Sequence, residues 1–77
     1  MNKQEFLDVI RDQFLEDDIS VITFDVNFRN LDSWDSLTGM AILTVIEDDY
    51  KVIVPVEEFK KIITIDQLYD YVISKKQ

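Results

Sequence analysis

A single glycine, Gly39, and a single proline, Pro55, are all the Gly/Pro punctuation in this 77-residue chain. That is too little turn chemistry for an all-β fold, whose strand reversals draw repeatedly on such residues. Helices need less of it, and the hydrophobic spacing agrees. Ile65, Leu68, Tyr69, Val72 and Ile73 recur at i, i+3, i+4, i+7 and i+8, the pattern of one buried helical face. Phe6, Leu7, Ile10 and Phe14 form a second such face. Asn2 with Glu5, and Thr64 with Gln67, have the spacing of capping boxes at the starts of these two helices.

Between them, a helix is predicted from Asp35 onward through Tyr50. At about 100° per residue, Gly39, Ile42, Leu43, Ile46 and Tyr50 share one arc. Leu37, Met40 and Ala41 fall on another, interleaved with Thr44, Glu47 and Asp48. In so small a chain the first arc is expected to face the core and the second to face outward, toward a partner. After Pro55, residues Val56 to Ile62 suit a short helix, with Glu57 and Glu58 early and Lys60 and Lys61 late to complement the helix dipole.

Residues 19 to 35 are less decided. Ile19, Val21, Ile22, Phe24, Val26 and Phe28 partly alternate with polar residues, which favours a strand. The only other strand-like run, Val52 to Val54, stops at Pro55, so a strand would lack a partner. The segment is therefore expected to be a long structured loop whose apolar side chains plug the core. The expectation is an all-α fold: a small four-helix bundle of three longer helices and one short, with a long loop between the first and second. The helices span 3–15, 36–50, 56–61 and 65–74 of a single domain over 1–77, too short for a second core.

Charge and composition remove many functions. Eight basic against sixteen acidic residues leave a net charge of −8, which repels nucleic-acid phosphates and anionic membrane surfaces and favours basic protein partners. The absence of cysteine excludes a protein-borne thiol nucleophile and zinc–thiolate sites, and the absence of histidine removes the commonest general base. Asp25 fails as the first position of a calcium loop, because Asn30 stands where the turn glycine belongs and Ser36 where the bidentate glutamate belongs. No apolar run spans a bilayer, and the first residues lack a secretory pattern. A cytoplasmic monomer without membrane or metal partners is expected, and not an enzyme.

One serine stands out. With Asp35 as N-cap, Ser36 is the first helical residue, beside unpaired backbone N–H groups and the positive end of the helix dipole. A phosphate ester is stabilised there by what binds free anions. On composition alone the simpler account is that Ser33, Asp35 and Ser36 compete to cap the helix.

Asp35-Ser36-Leu37, opening a helix that ends in Ile46-Glu47-Asp48-Asp49-Tyr50, resembles the acyl carrier protein family. Phe28 and Leu31 match its apolar loop positions, and Ile53-Val54-Pro55 its turn before the short helix. Ile62-Ile63-Thr64-Ile65 and Asp70-Tyr71-Val72 match the step into the last helix and a stretch within it. The resemblance implies a 4′-phosphopantetheine attached covalently to Ser36, flanked by Asp35 and Leu37, supplied from coenzyme A by a phosphopantetheinyl transferase. Acyl intermediates would ride on it as thioesters, presented to acyl-transferring, condensing or modifying enzymes of fatty acid or other lipid biosynthesis. Leu37, Met40, Ala41, Glu47 and Asp48 would form the docking face for basic patches on those enzymes, and the bundle interior could shelter an acyl chain. The alternative is an acidic interaction module using the same face without a prosthetic group.

The chain also departs from the family pattern. Ser33-Trp34 replaces the small step common before the motif, and Ala41 stands where fatty-acid carriers commonly place an acid. The Gly-Gly-(His/Asp)-Ser style of peptidyl carriers is absent. These departures suggest a specialised, stand-alone carrier. Gly39 either admits a bulky core neighbour or allows a close approach near the prosthetic group.

Overall fold

A computed structural model describes residues 2–14 and 18–76. Helix α1 (Lys3–Arg11) starts where Asn2 Oδ1 accepts from the N–H groups of Gln4 (2.8 Å) and Glu5 (3.3 Å). It buries Phe6, Leu7 and Ile10. The predicted helix runs on to 15, but helical geometry stops at Arg11. Gln13 and Phe14 donate to the carbonyls of Ile10 and Arg11, three residues back, and this tightened turn leaves Phe14 buried in the core. Leu15 and the acidic Glu16 and Asp17, where the end was expected, lie outside the described residues.

The long connection is a loop, with short 3-10 turns at Ile19–Val21 and Phe28–Asn30 and no strand among the described residues. Its strand-like alternation has another use. Ile22 and Phe28 are fully buried and Phe24 half-buried, while Val21, Thr23 and Asp25 are exposed. Backbone groups of such a loop still need partners. They find them across the molecule: Asp66 N–H donates to Phe24 O (2.9 Å), Phe28 N–H to Ile63 O (3.2 Å), and Arg11 Nε to Ile22 O (2.9 Å). An isolated antiparallel bridge joins Asn27 to Thr64.

Helix α2 (Ser36–Tyr50) turns Gly39, Ile42 and Ile46 inward, with Leu43 and Tyr50 half-buried beside them. It ends at Lys51, whose left-handed backbone (φ 58°) costs about 1 kcal/mol in a residue with a side chain. The Lys51 N–H donates to Glu47 O (3.0 Å) and closes the last turn. An extended stretch then buries Val52 and Val54 and exposes Ile53 before Pro55 starts α3 (Val56–Phe59). That helix is two residues shorter than expected, because Lys60 and Lys61 form a turn instead. Helix α4 (Ile65–Lys76) has the predicted capping box. Gln67 donates its N–H to Thr64 Oγ1 (3.2 Å), and its side-chain oxygen accepts from the N–H of Ile63 (2.8 Å) and Thr64 (3.4 Å). It buries Ile65, Leu68 and Val72, and runs two residues beyond the expected end.

The four helices enclose one apolar core. Phe6 of α1 packs on Tyr50 of α2 and Tyr69 of α4, with ring centroids at 5.5 and 5.3 Å. Outside it, Lys3 pairs with Asp66 (2.8 Å) and lies over the Phe24 and Tyr69 rings, and its ammonium pKa is raised chiefly by that carboxylate. Among the described residues no polar or charged residue is buried, and no helix is long and apolar enough to cross a membrane.

Candidate functional site

The start of α2 is set by Asp35, whose backbone is extended and whose Oδ1 accepts from Thr38 N–H at 2.8 Å. This N-cap satisfies a donor that the helix cannot. The Thr38 N–H holds the Asp35 carboxyl below the usual carboxylate range, with a smaller contribution from Leu37 N–H. Thr38 adds a second tie, its hydroxyl donating to Ser33 O at 3.0 Å. Ser36, the first residue of the helix, is exposed. Ser33 is half-buried, with its carbonyl taken by Thr38.

Because the Asp35 pKa is depressed on folding, the cap stabilises fully above the ordinary carboxylate range and loses its effect as pH falls through the lower, folded value. Asp35→Ala is therefore expected to melt below wild type at pH 7. The gap should narrow in melting curves taken below about pH 4. Asp35→Asn keeps an accepting oxygen and should lose less at pH 7. A gap independent of pH would show that the carboxylate does not carry the cap.

From Ser36 the outer face of α2 runs for about 18 Å to Asp48. Leu37 (75% exposed) and Met40 (63% exposed) stand on it, with exposed Thr44, Glu47 and Asp48 beyond. The predicted outward residues are thus on one stripe, except that Ala41 is half-buried at its edge. Ala41 instead helps line a shallow cleft of about 300 Å³ with Leu37, Thr38, Asp35, Asp12 and Gln13. Asp12 and Gln13 were not legible as neighbours of Ser36. Their signal was hidden because the predicted helix runs through 15, whereas α1 stops at Arg11 and the turn that follows places these two residues on the cleft.

Trp34 is packing rather than a protruding contact. Half-buried, it meets the rings of Phe14 (6.4 Å), Phe28 (5.4 Å) and Phe59 (6.2 Å). Its indole lies over Gly39, where an added Cβ would be only 3.1 Å from Trp34 Cη2 and 3.5 Å from Phe59 Cε2. Of the two explanations for that glycine, the bulky core neighbour holds. Arg29, which sequence reasoning passed over, sits 5.0–5.3 Å from the Phe28, Trp34 and Phe59 rings. It donates from Nε to Ile62 O (3.2 Å) and from Nη2 to Phe59 O, so it fastens the loop before Ser36 to α3. An arginine in a loop of aromatics was the only hint of it.

Compared with known protein families, residues 4–72 match the phosphopantetheine attachment site family. The chain belongs to that family. Its members carry 4′-phosphopantetheine covalently on a serine, so the family expectation drawn from the Asp-Ser-Leu helix is met at the level of the carrier and its prosthetic group. Such carrier domains are generally non-catalytic, and they interact with a phosphopantetheinyl transferase and with biosynthetic enzymes. No match was found among curated proteins or solved structures. The residues at the α2 terminus fit the group. An exposed hydroxyl at a helix N-terminus offers an accessible oxygen for a phosphodiester, with helix N–H groups beside it.

Proposed function

We propose that Ser36 is the serine that bears 4′-phosphopantetheine and that the protein carries acyl intermediates between biosynthetic enzymes. The exposure of Ser36 on the first turn of α2, directly after the Asp35 cap, is the observation that carries this reading. When attached, the group supplies the thiol that the cysteine-free chain lacks, and acyl groups ride on it as thioesters. The chain's own contribution is positional. Asp35 and Thr38 hold the helix start rigid, so the Ser36 hydroxyl is presented at a fixed point with the outer face of α2 leading away from it.

That face suits brief contacts. Leu37 and Met40 offer a small apolar area, and Glu47 and Asp48 an acidic end, on a chain of net charge −8. Attraction to a basic patch speeds encounter, while the small contact area lets the carrier leave for its next enzyme. Ala41 contributes at the edge of this face.

Incubation with coenzyme A, Mg²⁺ and a permissive phosphopantetheinyl transferase, followed by intact-mass measurement and peptide mapping, tests the assignment. One phosphopantetheine on the peptide containing Ser36 is expected. An unmodified mass would instead indicate an interaction module without a prosthetic group. For the docking face, Glu47→Lys with Asp48→Lys should slow modification roughly tenfold at low salt, and the deficit should shrink near 0.5 M salt, where screening is nearly complete. Equal slowing at every ionic strength would remove the electrostatic role.

A further inference from the structure

Given Ser36 as the attachment point, we propose that this carrier holds its cargo outside the bundle, because Trp34 closes the interior beside the modified serine. The cargo then lies along the open cleft beside Ser36 rather than between α2 and α3. Trp34 lies two residues before Ser36, and its indole occupies the space between the start of α2 and α3. On the α2 side the indole approaches Gly39 so closely that an added Cβ would lie 3.1 Å from Trp34, which would have to give way slightly, and in ordinary contact with Phe59 at 3.5 Å. A space that does not take one methyl group without displacement does not take a hydrocarbon chain unless large rings move.

Those rings are held from several directions. Phe28 stacks on Phe59 (5.9 Å), and Trp34 contacts both, with Phe14 on a further side. The Arg29 guanidinium lies against the same three rings and donates to the carbonyls of Phe59 and Ile62. To open a path along α2 would require breaking this clamp as well as separating the stack. Deeper along the helix, Ile42 and Ile46 are fully buried.

Outside the bundle, the cleft beside Ser36 is open and lined by Leu37, Thr38 and Ala41 as well as by Asp12, Gln13 and Asp35. Because the cleft is open, a chain laid along it keeps one side in water, and each methylene gains less there than full burial in a core would give.

Trp34 is the chain's single tryptophan, so its emission reports on this place alone. The full chain is loaded from coenzyme A or from octanoyl-coenzyme A by a permissive transferase, and loading is verified by mass. The wild-type holo and octanoyl forms should melt within about 1 °C of each other and show superimposable tryptophan emission. In Trp34→Ala and the milder Trp34→Leu, which open the space, octanoyl loading should raise the Tm by about 5 °C or more. A wild-type octanoyl form stabilised to that degree, or with shifted emission, overturns the inference and leaves Ser36 as the attachment point. A flat response in a folded Trp34→Leu overturns the assignment of the block to Trp34. If neither variant folds, the wild-type comparison decides alone. No mass gain on wild type overturns both proposals.

Discussion

Ser36→Ala is expected to abolish the phosphopantetheine mass gain completely, while Ser33→Ala keeps it. The two serines are three residues apart and each follows an aspartate, so the chemistry of their side chains does not separate them. Their placement does. Ser36 is exposed on the first turn of α2, and Ser33 is half-buried before the helix, with its carbonyl accepting from Thr38. Since Ser36 is exposed, removal of its hydroxyl should alter stability by less than about 0.5 kcal/mol. An unchanged melting curve beside a vanished mass gain would therefore mark a chemical loss rather than an unfolded substrate. Retention of the gain in Ser36→Ala, with loss in Ser33→Ala, would move the attachment point.

Phe28→Ala is expected to be the most damaging single core change. Its side chain is fully buried and contacts Trp34, Phe59 and the Arg29 guanidinium at once. Truncation of a buried phenylalanine costs about 3–5 kcal/mol, a large share of the roughly 4–12 kcal/mol that a chain of this length holds in total. A drop in Tm of about 15 °C or more, or outright unfolding, should follow in thermal melts monitored by circular dichroism. Phe28→Leu, which retains most of the volume, should lose much less. Leu37→Ala, on the exposed face, should leave the Tm nearly unchanged. Phe28 lies in the long loop, so its loss also frees the segment leading to Asp35. Modification at Ser36 should slow even under conditions where the variant remains folded. A Tm loss no larger than that of Leu37→Ala would show that the loop is not part of the core.

The helices were largely legible because their signals are local. The Thr64–Gln67 capping box forms as its spacing predicts, and the buried positions of α2 and α4 follow the 3.6-residue repeat. The helix ends were less so. Helix α1 gives way to a tight turn at Arg11, although Phe14 continues the apolar spacing, because Phe14 reaches the core from that turn as well as it would from a helix. Periodicity records which residues are buried; it does not distinguish the backbone that buries them. The same limit explains residues 21 to 28, where alternation reflects alternate burial along a loop tied to residues 63–66 by isolated hydrogen bonds.

By itself, the sequence determined the class of fold, the family and the placing of Ser36 behind an aspartate at a helix start, since each depends on residues within a few positions of one another. Tertiary structure alone decided what Gly39 is for, that Trp34 points into the stack of Phe14, Phe28 and Phe59, and that Arg29 clamps the loop to α3. These contacts join residues as many as 33 positions apart, as between Arg29 and Ile62. No local spacing encodes such a meeting; it exists only once the helices have packed and the rings compete for the same volume.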